Sequence, residues 1–178
     1  MSCIQLYSFE PRKSNSNDNK KPERRVNREL IDRNGKTDWC DCGECVIMPT
    51  DEESVCCVES DIINNIRGSV ECITQHISFD NIVLSIDALN TLRHFIVSKQ
   101  AAPQHILLDL SESTNRTWRY LAYTQFIHWV NSWASLGKNK RKVIPSCVVH
   151  AIRTKYPQQE GEYVGFKAAA GCQAEFMD

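Results

Sequence analysis

Apolar residues recur at helical spacing in three segments of the second half of the chain. The first segment runs from Ser78 to Gln100, and its apolar side chains return every three or four residues, which indicates one buried helical face. Ser78 is suited to cap its start, Ser85 could cap a fresh helix after a break, and Pro103 ends it. The apolar positions of this first predicted helical region are Ile82, Ile86, Leu89, Leu92 and Ile96.

Two further helices follow from the same periodicity. The second is predicted from Asn115 to Trp133, and the third begins at Pro145, whose missing N–H costs nothing in a first helical turn, and ends at Pro157. Cys147 lies in the first turn of the third helix. The fold class predicted is therefore mainly α, with a small α+β fold possible. The apolar stripe of the second helix is Trp118, Ala122, Phe126, Trp129 and Trp133.

The pattern is different before residue 78. Residues 1–38 are polar and charged with few apolar anchors, which is typical of a flexible tail. From Trp39 to about Gln75 neither a helical nor a strand period is sustained. More than 30 residues without regular structure argue against a compact fold unless a metal supplies folding free energy. We therefore expect a disordered tail at 1–38, a compact helical domain at 39–167 with an irregular N-terminal segment held by a cysteine zinc cluster, and a C-terminal tail at 168–178.

Length, composition and charge limit the class of protein. The 178 residues, of which 42% are apolar, suffice for one ordinary domain. A signal peptide and an apolar run of 18 residues are both missing from the sequence, so we expect no membrane span and a cytoplasmic location, where thiols stay reduced. The net charge of −1 provides no general attraction to nucleic acid.

Cysteine is the residue type that points most directly to chemistry. The stretch Trp39 to Cys45 contains three thiols, and Gly43 allows the tight turn that such a C-x-C-x-x-C spacing needs. Thiolates are soft ligands that suit zinc. With Cys3 and Cys172 set aside as tail residues, seven thiols remain. They are Cys40, Cys42, Cys45, Cys56, Cys57, Cys72 and Cys147.

Seven thiolates are compatible with two arrangements. Two tetrahedral zinc sites need eight ligand positions, which seven thiolates fill if one sulfur bridges both ions. A single four-cysteine site with three structural cysteines left over fits the spacing equally well. His76, four residues after Cys72, is a reserve ligand if the thiolates fall one short.

A second candidate site lies on the second helix. Arg119 and Tyr123 are one turn apart on a flank of its apolar stripe, with Tyr120 beside them. An arginine fork next to a phenol ring can stack on a planar base or hold a phosphate. An ordinary packed helix with an amphipathic edge would show the same pattern.

Eight motifs of the chain resemble those of a known family. They are Trp39-Cys40-x-Cys42-Gly43-x-Cys45, Cys56-Cys57, Cys72-Ile73-Thr74, Arg119-x-x-Ala122-Tyr123, Ile144-Pro145-Ser146-Cys147, Ile152-Arg153, Tyr156-Pro157 and Glu160-Gly161-x-Tyr163-x-Gly165-Phe166-Lys167. In this order they resemble the cytoplasmic C-terminal ballast domain of the seventh-subtype P2X purinoceptor, an ATP-gated cation channel. The resemblance covers about 39–167 and does not extend to the channel's two membrane helices or its ATP-binding ectodomain, so channel activity is not expected.

The resemblance implies a mainly helical wedge with a dinuclear zinc centre on the seven cysteines and a site for guanine nucleotide (GDP or GTP). Arg119 and Tyr123 match the family's arginine and tyrosine, and Ile144 falls where a hydrophobic residue lines the base. The remaining implied site residues differ from the family: Tyr120, Lys142 and Gln158 stand where the receptor has histidine, a small apolar residue and lysine.

The leading hypothesis is a zinc-stabilised cytosolic regulatory or interaction module that binds a guanine nucleotide and an unidentified protein partner. An enzyme is less favoured, and a GTPase least of all, because the phosphate-binding G-x-x-x-x-G-K-[ST] motif is missing. The enzyme alternative uses Cys147 as the nucleophile of a hydrolase, with His76 or His150 as base. The other alternative is a zinc-dependent nucleic-acid binder that uses Lys138, Lys140, Arg141 and Lys142.

Overall fold

The computed structural model describes residues 32–100, 107, 110–133, 140–158 and 173–175, and this part of the chain is mainly helical, as predicted. Short 3-10 turns at Cys57–Glu59 and Ile73–Gln75 interrupt the irregular segment before the longer helices, and a π-helical turn at Asp80–Leu84 continues the second helix. The helices are α1 (Asp61–Arg67), α2 (Ile77–Phe79), α3 (Ile86–Ser98), α4 (Asn115–Val130) and α5 (Ser146–Lys155).

Two short strands pair in parallel. They are β1 (Lys140–Lys142) and β2 (Gln173–Glu175), and Lys140 faces Gln173 in the register. The sequence carried no signal for β2, because three residues are too few for an alternating pattern. The predicted strand or loop at 161–167 lies outside the described residues.

The break predicted within the first helical region is present at Ser85. This residue has an extended backbone, and its hydroxyl accepts from the Ala88 N–H at 3.5 Å, which caps α3. The start of α2 is capped by His76 and not by Ser78: Nδ1 of His76 accepts from the Ser78 N–H at 3.1 Å. An imidazole nitrogen can accept a hydrogen bond as a hydroxyl oxygen does, which the preference for serine at helix starts did not reveal.

Helix α4 forms the centre of the apolar core. Leu121, Ala122 and Phe126 are completely buried, and α4 contacts α3, α5 and the π-helical turn. The helix ends at Val130 because Ser132 and Trp133 have left-handed backbone angles, with φ of 51° and 63°. Trp133 therefore leaves the predicted stripe and is 59% exposed.

Helix α5 is fixed at its C-terminal end by polar contacts. Nη1 of Arg119 donates to the Tyr156 carbonyl at 2.8 Å, and Nδ2 of Asn115 donates to the Pro157 carbonyl at 2.9 Å. The Tyr156 hydroxyl donates to the Leu84 carbonyl at 2.7 Å. These bonds join α5 to α4 and to the π-helical turn, so the N-terminal end of α5, with Cys147, has a defined position.

The irregular segment packs against that N-terminal end. The Ser146 N–H donates to the Val55 carbonyl at 2.9 Å, and the Ser146 hydroxyl contacts the backbone of Val46. Arg33 lies before the domain boundary predicted at 38, yet its Nη1 donates to the Ser54 carbonyl at 2.8 Å and to Glu59 Oε1 at 2.7 Å. Among the described residues, every helix falls short of the length and apolar character that a membrane span requires.

Candidate metal centre

All seven cysteines singled out in the sequence come together as thiols that form no disulfide. They make two groups of four, and within each group the sulfurs lie within 4.8 Å of one another. Cys42 belongs to both groups, so seven sulfurs provide eight ligand positions. The outer group is Cys40, Cys42, Cys45 and Cys56, and the inner group is Cys42, Cys57, Cys72 and Cys147.

The distances between sulfurs fit a metal site. The Sγ atom of Cys42 is 3.7 Å from those of Cys40 and Cys45, and the Sγ atoms of Cys57 and Cys72 are 3.9 Å apart. A disulfide would need about 2.05 Å. A tetrahedron with metal–sulfur bonds of about 2.3 Å has edges of about 3.8 Å. Each group could therefore hold one metal ion.

Short local elements aim the sulfurs at each other. The loop 40–45 turns at Gly43, which has a φ of +77°, a region that side chains with a Cβ rarely adopt. Cys56 and Cys57 open a 3-10 turn, and Cys72 directly precedes another. Cys147 lies in the first turn of α5, where N–H groups without a partner inside the helix provide a positive partial charge.

The two groups differ in burial. In the inner group Cys57 and Cys72 are completely buried, Cys147 is 1% exposed and Cys42 is 4% exposed. In the outer group Cys40 and Cys45 are only half-buried, and they pack on the margin of the apolar core. The inner group is therefore part of the core, whereas the outer group extends from the buried Cys42 and Cys56 to the margin of the core at Cys40 and Cys45.

The sulfurs compete for protons because they are so close. The thiol of Cys147 lies against several other sulfurs and is buried, so its pKa is raised far above the ordinary value. Conversely, the contact with the Cys147 thiol lowers the pKa of Cys42 and Cys72, and the contact with Cys45 lowers that of Cys56. Seven adjacent thiols cannot all ionise by themselves. A bound cation would remove this competition, which is the electrostatic condition for a metal-thiolate site.

Hydrogen-bond donors surround the sulfurs. The Thr74 hydroxyl donates to Cys72 Sγ at 3.1 Å. Backbone N–H groups of Glu44, Val58 and Ile73 lower the pKa values of Cys42, Cys56 and Cys57 respectively, although other contacts have larger effects on each of these thiols. Such donors offset the loss of hydration when thiolates are buried. The sequence did not predict that Thr74 donates a hydrogen bond to a cysteine sulfur. Its position two residues after Cys72 was the feature of the sequence that could have indicated this contact.

His76 and His150 lie outside both cysteine groups. Nδ1 of His76 accepts from a backbone N–H, its ring packs on Trp129 with centroids 5.6 Å apart, and His150 is exposed on α5. Within the described residues, the groups that could hold a metal ion contain cysteine alone. The burial of Cys147, which is 1% exposed, and its place among three other thiols argue against its use as a nucleophile with either histidine as base.

The residues expected to bind nucleotide lie around α4 and α5. Arg119 and Gln158 are in direct contact: Nη2 of Arg119 donates to Gln158 Oε1 at 2.8 Å, and Arg119 is only 8% exposed. The structure thus joins two of the six predicted residues across 39 positions of sequence. The other four are half-buried: Tyr120, Tyr123, Lys142 and Ile144.

The basic segment expected in a nucleic-acid binder is only partly described. Lys138 lies outside the described residues, as do the side chains of Lys140 and Arg141. The backbone of Lys140 and Arg141 belongs to β1, together with that of Lys142, whose side chain is half-buried.

Comparison with known proteins assigns the chain to a family. A model of the family described as the P2X purinoreceptor 7 intracellular domain matches residues 2–167. P2X purinoceptor 7 of Rattus norvegicus is 32% identical over 136 residues, which is 73% of this chain and 20% of the receptor. The receptor of Mus musculus is 31% identical over 149 residues, which is 80% of this chain and 22% of the receptor.

The chain thus spans about a fifth of the length of these relatives. The match to the family extends over most of the chain and includes all seven cysteines of the two groups. The family's description as an intracellular domain agrees with the cytoplasmic location expected from the sequence. The chain belongs to the P2X purinoreceptor 7 intracellular domain family.

Proposed function

We propose that this chain is a zinc-stabilised regulatory or interaction module, in which two zinc ions bind to seven cysteine thiolates and Cys42 bridges them. The observation that carries the proposal is the pair of four-sulfur groups that share this one residue. Zinc is favoured because it prefers tetrahedral sites with thiolate ligands, and closed four-cysteine sites are structural ones. The role proposed for the metal is therefore to hold the fold together.

The charge of such a centre is compatible with its surroundings. Two divalent cations against seven thiolates leave a net charge of −3 at the proposed centre. The N-terminal turn of α5, the Thr74 hydroxyl and the backbone N–H groups near the sulfurs are the donors that would stabilise this charge. Because the inner ligands come from positions 42, 57, 72 and 147, one ion would join segments up to 105 residues apart.

Native mass spectrometry of the purified chain tests the metal proposal. We expect two zinc ions per chain. A chelator should remove both ions and reduce the helical signal in circular dichroism, because the apo chain unfolds. The Cys42→Ser variant should lose both sites, whereas Cys172→Ser, outside the two groups, should retain two ions. If Cys42→Ser does not fold, refolding the apo wild type with Co²⁺ should produce the absorption of tetrahedral cobalt thiolate. A metal-free, fully folded wild-type chain would refute the proposal.

A guanine nucleotide is the ligand proposed for the second site. The contact between Arg119 and Gln158, with half-buried Tyr120, Tyr123 and Ile144 on the same two helices or next to them, supports it. Aromatic and apolar side chains can stack on a base, and a guanidinium held by carbonyl oxygens keeps a fixed orientation. Half-buried Lys142 is proposed to contact the phosphates.

Calorimetric titration with GDP, guanosine and ADP tests this site. We expect GDP to bind more tightly than ADP, and Tyr123→Ala to weaken GDP binding about tenfold or more while circular dichroism is retained. Lys142→Ala should weaken binding of GDP but not of guanosine, and Lys99→Ala, an exposed lysine after α3, should change neither. Unchanged GDP affinity in Lys142→Ala would reject the role of Lys142, and no binding of GDP would reject the site.

The protein partner remains a proposal that follows from family membership. Interaction with another protein is a common role for a small module whose metal ions serve the fold and not a reaction. Co-purification from cells, compared between wild type and a metal-free Cys42→Ser variant, would show whether such a partner needs the folded domain.

A further inference from the structure

The outer and inner cysteine groups differ in three respects, which together suggest that the two groups have different roles. The outer sulfurs come from one stretch of 17 residues, 40–56, whereas the inner ones come from four separate segments. Cys40 and Cys45 are half-buried, but the inner sulfurs are all buried. All four inner cysteines belong to the same apolar cluster as Ile73 and Val148, whereas Cys40 and Cys45 only pack against its margin. Removing the inner ion would open the core, and removing the outer ion would release one loop.

The outer loop has room to move. A Cβ placed on Gly43 would meet no atom within 4 Å, and Asp41, Gly43 and Glu44 are all exposed. The sulfurs of Cys40 and Cys45 lie within 4.8 Å of each other, so a disulfide needs them to approach by no more than about 3 Å. The inner sulfurs have no comparable freedom, because Cys57 and Cys72 are completely buried in the core.

We propose that the outer position is a redox-sensitive metal site, from which a small-molecule disulfide such as oxidised glutathione releases one ion while the inner ion keeps the fold. This inference rests on the proposed function. In the first step the Cys40 thiolate attacks one sulfur of the disulfide, a mixed disulfide forms, and one small thiolate leaves. In the second step the Cys45 thiolate attacks the Cys40 sulfur, and a second small thiolate leaves.

The electrons and charges balance in these steps. The protein loses two electrons as the Cys40–Cys45 disulfide forms, and the added disulfide gains two electrons as it becomes two thiolates. The metal ion keeps its charge of +2 and leaves, because two of its four ligands no longer carry a negative charge. Cys42 remains a ligand of the inner ion, and Cys56 becomes a single thiolate beside the emptied position.

Native mass spectrometry of the zinc-loaded full chain, before and after incubation with oxidised glutathione, tests this inference. We expect the count to fall from two ions to one, peptide mapping to find a Cys40–Cys45 disulfide, and circular dichroism to remain unchanged. A reducing agent with added zinc should restore the second ion. Loss of both ions together, loss of neither, or a disulfide at an inner cysteine would overturn the inference.

Variants separate the two positions. Cys40→Ser should carry one ion as purified and lose none to oxidised glutathione, whereas Cys57→Ser should lose the inner ion and much of its stability. If Cys57→Ser fails to fold, timed alkylation of the wild type provides the same comparison, and Cys40 and Cys45 should react before Cys57, Cys72 and Cys147. A reversed order would contradict the inference. A wild-type chain without zinc would refute the proposed function, and two ions that leave only together would refute this inference alone.

Discussion

The Ser146 hydroxyl forms hydrogen bonds with both the N–H and the carbonyl of Val46, although the two residues are 100 positions apart in the chain. Its Oγ accepts from the Val46 N–H at 2.9 Å and donates to the Val46 carbonyl at 2.7 Å. Ser146 is completely buried, and it is followed by Cys147, while Val46 follows Cys45. This pair of bonds therefore fixes the position of Val46, the residue directly after the loop 40–45, relative to the first turn of α5.

Replacing Ser146 by Ala should lower the free energy of unfolding by about 1–3 kcal/mol, because the Val46 N–H and carbonyl lose their partner in a site that water reaches poorly. Urea unfolding followed by circular dichroism measures this difference. Ser98→Ala is the matched control, since its hydroxyl donates to the Phe95 carbonyl at 3.1 Å at an exposed position, and it should change stability by less than about 0.5 kcal/mol. Equal effects of the two variants would contradict the role given to Ser146.

Arg33 should stabilise the segment that contains Cys56. Its guanidinium donates to Ser54 and Glu59 and lies 5.4 Å from the Trp39 ring centroid, and the Arg33 and Glu59 side chains are 15% and 21% exposed. Arg33→Ala should lower the free energy of unfolding by about 1.5 kcal/mol, because a largely buried, charge-assisted contact is lost.

Lys36 provides the comparison for Arg33. Its ion pair with Asp32 spans 3.4 Å, and the two side chains are 52% and 74% exposed. Lys36→Ala should therefore have an effect below about 0.5 kcal/mol in the same urea experiment. If Lys36→Ala destabilised the chain as much as Arg33→Ala, burial would not be the cause of the Arg33 effect.

The cost of replacing Gly43 should depend on how readily the new residue adopts a left-handed backbone conformation, and not on the volume of its side chain. Its φ is +77°, and an added Cβ meets nothing within 4 Å. Gly43→Ala should cost about 1–3 kcal/mol, and Gly43→Asn should cost less, because asparagine adopts left-handed angles more readily than alanine. Thermal unfolding of the metal-loaded variants provides the ranking. An alanine variant as stable as the asparagine variant would show that the loop changes its backbone.

His128 should make the stability depend on pH in a known direction. Burial lowers its pKa below the ordinary value of 6.5, so the unfolded chain binds a proton at a higher pH than the folded chain does. The stability that neutral His128 allows is present above pH 6.5 and is lost as the pH falls from there towards the folded-state pKa.

The variant His128→Gln removes this titration. Urea unfolding at several pH values should show wild type losing stability relative to His128→Gln as the pH falls below about 6.5, and no further relative loss once both states are protonated. Subtracting the unfolding free energy of His128→Gln from that of wild type at each pH removes the effect of acid on the thiolates, because both chains share it. Parallel pH profiles would show that His128 does not contribute.

The amino-acid sequence determined the features of this protein that depend on near neighbours. Apolar spacing predicted α3, α4 and α5, because helical periodicity is a property of adjacent turns, and the capping preference of serine predicted the break at Ser85. The count and spacing of the cysteines limited the metal chemistry to one or two thiolate sites, and the ordered motifs predicted the family that the comparisons confirm.

Only the tertiary structure decided how distant segments meet. It identified Cys42 as the sulfur common to both groups, divided the cysteines into buried and half-buried ones, and joined Arg119 to Gln158. It also showed that α4 ends at Val130 and that Arg33 contacts the cysteine-bearing segment. These relationships depend on how helices and loops pack. Distances between residues remote in the chain are fixed by the whole core, so no local pattern encodes them.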